Sequence, residues 1–252
     1  MSYSPKKILI VVSDANEFPL KEGDETVSQP SGFFLKELAQ PLQKILDKGY
    51  EVTFASPEGK EPQPDPNSES LLTVAGNYYE LKRENALIER MKKENGFARP
   101  KKFSEISDDE LESYAGLFIP GGHSPLSDLG DDQDLGRILW HFHSEHKPTA
   151  AICHGPYALL STKQTDKGFA YKGYKIRSWS NAEEKLMETV LRGEIEKVES
   201  QLRDAGADMQ NGLAEQAGYV LVDKELATGG NPLAANTLGD TFLDLLDGKT
   251  GA

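Results

Sequence analysis

The chain has 252 residues, the size of one large α/β domain, and 37% of them are hydrophobic, enough for a core. A net charge of −13 and a mean hydropathy of −0.54 argue against a nucleic-acid partner or an anionic membrane, whose phosphates would repel it. A single cysteine excludes an intramolecular disulfide framework.

The start, Met1-Ser2-Tyr3-Ser4-Pro5-Lys6-Lys7, runs straight into a short apolar strand without the longer apolar region of a secretory signal. No run approaches the ~20 apolar residues of a membrane span. A cytoplasmic protein is expected.

Lys7 to Ser13 is a continuous apolar run of strand length, as in a strand covered on both faces. Asp14 to Ser31 is polar and broken by Pro19, Gly23 and Pro30, which predicts loop. Gly32 to Lys48 carries Phe34, Leu35, Leu38, Leu42, Ile45 and Leu46 at helical spacing and stops at Gly49. Pro41 predicts a kink or break there. Glu51 to Ser56 is a second strand, and residues 57–67 are proline-rich and irregular.

Tyr78 to Glu94 is a charged helix, and Ser107 with Glu110 resembles a capping box. Ala115 to Pro120 is a third strand ending in Gly121-Gly122-His123. Leu135 to His146 is helical, and Thr149 to Ile152 is a strand that delivers Cys153. Helix is expected from His154 to Leu160, strand from Lys175 to Ser180, and one long charged helix from Ala182 to Ala205. Short strands at Tyr219–Val222 and Leu226–Thr228 precede a closing helix, Pro232 to Leu246.

Strands separated by helices imply βαβ units: a flavodoxin-like three-layer α/β sandwich with a mostly parallel central sheet. One domain, 1–252, is expected, with residues 57–105 as an inserted cap. Sites in such sheets lie at the carboxyl ends of the strands. Gly121-Gly122-His123 and Cys153-His154 both occupy such ends.

In Ala151-Ile152-Cys153-His154-Gly155-Pro156 an apolar strand meets a cysteine at the point where a helix begins, the arrangement of a nucleophile elbow. A helix N-terminus behind the sulfur favours thiolate. A lone cysteine is otherwise most often an inert core residue; the turn and the adjacent histidine weigh against that here. Gly121-Gly122 allows close backbone approach and N–H groups for an oxyanion, though alone it is no more than a tight turn. His123 either lines the pocket or bonds within its turn. His141, His143 and His146 lack the i,i+4 spacing of a helical metal site and read as a solvated helix end. Trp179 and Tyr78 are candidate pocket walls, with core packing the default for both.

The segments Phe118-Ile119-Pro120-Gly121-Gly122-His123, Ala151-Ile152-Cys153-His154-Gly155-Pro156 and Thr228-Gly229-Gly230-Asn231-Pro232 together resemble the ThiJ/PfpI superfamily, which shares the class I glutamine-amidotransferase-like fold. The insert and Gly32-Phe33-Phe34-Leu35-Lys36-Glu37 resemble its heat-shock chaperone-like branch, which acts as glyoxalase III. The resemblance implies Cys153 as nucleophile, His154 as its partner and Glu37 against the sulfur. It implies Glu184 as third member of the triad, with Glu183 as the alternative, and the backbones of Gly122 and His154 as oxyanion hole.

It further implies glutathione-independent conversion of a small 2-oxoaldehyde such as methylglyoxal to D-lactate, with no cofactor. Some members of the branch bind a metal through histidines near the first helix; none precedes His123 here, so no metal is expected. A homodimer is common among such proteins. A stress chaperone or protein deglycase, a peptidase or amidase with the same triad, and a Cys153 oxidation sensor are the alternatives.

Overall fold

The computed structural model describes residues 6–68 and 78–249. The N-terminal Met1–Pro5 and residues 69–77 of the expected insertion lie outside them. In chain order, the first half comprises β1 (Lys7–Val11), β2 (Glu17–Glu22), β3 (Glu25–Pro30), α1 (Leu35–Asp47), β4 (Glu51–Ser56), α2 (Tyr78–Glu94), β5 (Lys101–Lys102), α3 (Asp108–Leu111), β6 (Gly116–Ile119), α4 (Pro125–Asp128) and α5 (Gln133–Ser144). The second half comprises β7 (Thr149–Ile152), a 3₁₀ helix (Gly155–Gln164), β8 (Lys175–Ile176), α6 (Asn181–Leu191), α7 (Val198–Ala205), β9 (Asp208–Met209), α8 (Leu213–Gln216), β10 (Leu221–Asp223), β11 (Leu226–Gly229) and α9 (Ala235–Leu246).

Seven strands form one sheet in the order β10-β11-β7-β6-β1-β4-β5. All neighbours are parallel except β10, which pairs antiparallel with β11. The period of two along β1 divides its side chains between two layers. Ile8 and Ile10 join Leu38, Leu42, Leu238 and Phe242 of α1 and α9 on one face. Leu9 and Val11 join Ile138, Phe142, Leu159 and Leu202 from α5, the 3₁₀ helix and α7 on the other. This is the expected three-layer α/β sandwich.

After β1 the chain moves outward to β4; it then returns to β6 on the opposite side of β1. Loops leaving β1 and β6 therefore diverge, and a crevice opens at their carboxyl ends.

Several local expectations are corrected. Residues 14–31 are not loop: β2 and β3 form an antiparallel hairpin, with Glu22 opposite Glu25. Only Phe18 and Leu20 of β2 are buried, packed on Leu126 and Ile195, so the strand carries too few apolar residues to announce itself. Pro41 does not break α1 in two; it is buried within one continuous helix, against α9 at Gly239.

The predicted helix 182–205 is two helices. α6 closes on Arg192 at φ 61°, and Glu194 then exchanges backbone hydrogen bonds with Lys21 of the hairpin at 2.8 and 2.9 Å. The strand expected over 175–180 shrinks to Lys175–Ile176, paired with β9 outside the main sheet. The helix after Cys153 is 3₁₀ rather than α. His143 is not on a solvated end: its Nδ1 lies 3.0 Å from the buried Glu225 carboxylate, which also accepts from the Tyr174 hydroxyl at 2.9 Å.

The described parts of residues 57–105 lie mainly on the flank of the sheet. α2 buries Leu87, Ile88 and Met91, and Phe97 wedges edge-on between Phe33 and Phe54. Among the described residues of this span, the stretch near Asp65 reaches the crevice, where the Phe33 N–H donates to the Gln63 carbonyl and the Asp65 N–H to the Phe33 carbonyl.

Candidate active site

Strand β7 runs out at Ile152, and its neighbour β11 fixes the next residue: the Cys153 N–H donates to the Gly229 carbonyl at 2.9 Å. The Cys153 carbonyl accepts from the Trp179 N–H at 2.8 Å. Held at both ends, Cys153 adopts φ 61°, a left-handed conformation that costs a non-glycine residue of order 1 kcal/mol. The turn aims the sulfur back over the sheet edge toward Gly121-Gly122.

Those glycines shape the space around it. A Cβ on Gly121 would stand 2.4 Å from Glu37 Oε2 and 2.6 Å from Cys153 Cβ, so its absence is what lets carboxyl and cysteine meet. Gly122, at φ 99°, presses on the Gly32 carbonyl. The backbone N–H groups of Gly122 and His154 both point toward the sulfur and favour its charge.

Glu37, in the first turn of α1, is fully buried, and neither carboxyl oxygen has a well-formed hydrogen bond. Burial raises its pKa to about 8; the Cys153 thiol and Gly121 N–H are close enough to oppose that rise without cancelling it. The thiol is pushed up in turn by burial and by the Glu37 carboxylate, against the pull of the two N–H groups. Two acids competing in one dry space titrate as a pair. The pair resists a second negative charge, so a Cys153 thiolate is compatible with a protonated Glu37.

His154 is buried beside the thiol, with Nδ1 3.3 Å from Sγ and Nε2 2.6 Å from Glu184 Oε2. Burial works against a charge on Glu184, but the His154 and His123 rings outweigh it and hold the carboxyl at about 2. An ionised carboxylate only accepts, so the Nε2 of His154 donates and its Nδ1 is left to receive the thiol proton. Burial and the neighbouring His123 keep the His154 ring from charging easily. The arrangement is that of a Cys–His–Glu triad.

Glu183 is near enough to act on Glu37 but is not bonded to His154. It closes the capping box of α6 with Ser180 and accepts from the Asn231 amide at 3.3 Å.

His123 proves to be bound, not merely a wall: its Nε2 lies 3.0 Å from Glu184 Oε1. The donors of His123, His154 and Glu184 lie within 4.8 Å of one another, but both carboxylate oxygens are taken up by the imidazoles. Trp179 stacks on His154 with 5.6 Å between centroids. Tyr78 is 58% exposed on α2 and is not among the described residues that line the cavity beside His123.

Two residues of the site carry no signal in the sequence. Phe18 of the hairpin stacks on His123 at 4.6 Å. Asp65, 2% exposed, accepts from the Ser31 hydroxyl at 2.9 Å and faces both Glu37 and His154. Nothing in a proline-rich stretch marks such an acid in advance. A cavity of about 250 Å³ opens between Phe18, Asp65, His123 and Met187. A larger one, about 540 Å³, lies away from the sulfur between α1 and α2, next to Lys36, Gln40 and Glu84.

The fold and this geometry define a flavodoxin-like α/β protein with a cysteine elbow at its sheet edge. Residues 29–190 match the family described as ThiJ/PfpI family-like. The chain belongs to that family.

It is similar to the protein/nucleic acid deglycase HchA of Staphylococcus aureus, 26% identical over 246 residues that span 92% of this chain and 77% of the relative. Among solved structures, the Francisella tularensis Rapid Encystment Protein 24 kDa matches with a TM-score of 0.77 at 23% identity, over 96% of this chain and 99% of that one. Glyoxalase III from Candida albicans matches with a TM-score of 0.74 at 20% identity, over 94% and 95%. These two likenesses establish the fold.

Proposed function

We propose that this chain is a cysteine-dependent enzyme of 2-oxoaldehyde detoxification, converting methylglyoxal and its relatives to 2-hydroxy acids without glutathione. The observation that carries the reading is the buried Glu37 carboxyl, near neutrality, against the sulfur of a cysteine at positive φ. A nucleophile alone would suit many reactions. An acid–base group poised at about 8 beside it suits one that must move a carbon-bound proton.

The chemistry is built from these groups. The Cys153 thiolate adds to the aldehyde carbon, and the Gly122 and His154 N–H groups receive the developing alkoxide. Glu37 gives that oxygen its proton and is left as a carboxylate. It then takes the hydrogen from the former aldehyde carbon, forming an enediolate, and returns it to the adjacent carbon. The His154 imidazolium gives the thiol proton to the neighbouring oxygen, and the hydroxyl proton on the former aldehyde carbon goes back to Glu37, which leaves a thioester of the 2-hydroxy acid, a protonated Glu37 and a neutral His154. His154, supported by Glu184, draws a proton from water as it attacks. Hydrolysis frees the acid and restores the thiol.

The residues of the 57–105 insertion near Asp65 serve as the cap over this site.

The name of the S. aureus relative supports a second reading, removal of the same aldehydes from glycated proteins or nucleic acids. Adducts on amines present an equivalent carbon to the thiolate. The net charge of −13 opposes a lasting nucleic-acid complex, not a brief encounter with a glycated base. Among the described residues no helix is long and apolar enough to cross a membrane.

The test is consumption of methylglyoxal by metal-free protein without glutathione, with the product identified as lactate. Lack of consumption, together with release of methylglyoxal from glycated arginine, would transfer the assignment to the deglycase reading.

A further inference from the structure

A triad needs one oxygen of its carboxylate; Glu184 has both engaged. His154 Nε2 lies 2.6 Å from Oε2 and His123 Nε2 3.0 Å from Oε1. The two imidazoles also face each other, with centroids 4.0 Å apart, and Phe18 stacks on the outer side of His123. Since the carboxylate only accepts, both rings hold an Nε2 proton, and each has an Nδ1 lone pair for one proton more. One carboxylate offsets one imidazolium. A second positive ring at this distance, in a site shielded from water, would be strongly opposed.

We propose that His123 is a positioning residue: by holding the second oxygen of Glu184 and competing with His154 for its charge, it keeps His154 an uncharged acceptor for the Cys153 proton. The inference rests on Cys153 acting as nucleophile, as in the reading above, and is indifferent to which aldehyde is the substrate.

Exposure adds a direction. The side chains of His154 and Glu184 are each 1% exposed, whereas that of His123 is 13% exposed and borders the cavity with Phe18, Asp65 and Met187. His123 therefore stands between the cavity and the sealed His154–Glu184 pair. The other groups that face the pair are Asp65 from the crossing segment, Cys153 from the elbow and, behind the cysteine, Glu37 from α1. Asp65 favours a proton on His154, so the competition from His123 runs against it.

The test is a histidine NMR titration of the full chain, tractable because it has five histidines. Wild type is compared with His123→Gln, which keeps a donor for Glu184 but cannot charge, and with His123→Phe, which keeps the ring stack. In both variants His154 gains the carboxylate's charge for itself, and its midpoint should move up by about half a pH unit or more. The acid limb of turnover should shift with it. A purely structural role predicts that Gln reproduces the wild-type midpoint, and that result overturns the proposal.

Should neither variant fold, wild type still decides: the His154 ring should stay uncharged at neutral pH in spite of its carboxylate partner. A His154 ring charged at neutral pH would overturn it. Absence of methylglyoxal turnover in wild type would sink the substrate reading and leave this titration untouched.

Discussion

Replacing Glu37 with Gln removes an ionisable group from the interior while nearly keeping its shape. Burial holds the wild-type carboxyl at about 8 against an ordinary 4.5, so between those values the folded chain retains a proton that the unfolded chain releases. Stability therefore falls as pH rises through that window and levels off above it. At pH 7 the accumulated loss is about 3 kcal/mol by linkage.

An amide carries no such loss, but it enters a space where neither Glu37 oxygen finds a well-formed hydrogen bond. The net gain expected is thus about 1–2 kcal/mol, or roughly 2–8 °C in Tm for a chain of this length. Urea denaturation followed by fluorescence from pH 5 to 9 measures it. The variant should be the more stable, with a gap that widens up to about pH 8, and should lose turnover while its thiol still alkylates. Parallel pH curves would show that Glu37 does not titrate in this window, and its role as a proton carrier near neutrality would fail.

Glu184→Ala should leave two imidazoles without their acceptor and cost about 3 kcal/mol, read from urea midpoints, with turnover lost as well. In the wild type the contribution of Glu184 is fully present above 4.5 and disappears as pH falls through about 2, which acid unfolding by circular dichroism should show as a low-pH loss absent from the variant. Gly122→Ala places a Cβ 2.0 Å from the Gly32 carbonyl at a φ of 99°, so it should destabilise by at least about 2 kcal/mol and slow thiol alkylation. Leu20→Ala empties a fully buried contact of the hairpin and should cost about 2–4 kcal/mol, with proteolytic nicking appearing first between residues 17 and 30.

The features legible in the sequence are those it encodes locally. The run Thr149–Ile152 into Cys153-His154-Gly155-Pro156 is a strand, a turn and a helix start written in consecutive residues. The alternation of strands and helices likewise announces a parallel sheet. The β2–β3 hairpin is hidden because its stability comes from Phe18 and Leu20 meeting Leu126 and Ile195, far away in the chain. The break after α6 is hidden for the same reason, since Glu194 departs from helix to pair with Lys21.

At the site, helical spacing alone leaves Glu37 an ordinary surface glutamate; its burial comes from the β6 loop closing over it at Gly121. Only the family resemblance singles it out. The bond from His123 to Glu184 spans 61 positions and has no local signature at all.

In the proposed chemistry, Cys153 forms the covalent intermediate of a glutathione-independent aldehyde conversion. Mass spectrometry of the metal-free protein, rapidly quenched during turnover of methylglyoxal, tests this directly, with wild type beside Cys153→Ala. An adduct of one methylglyoxal mass should appear on the Cys153 peptide, with lactate forming as it decays, and the variant should give neither. Lactate formed at the wild-type rate by Cys153→Ala, or turnover with the adduct on another residue, would contradict a covalent route through Cys153.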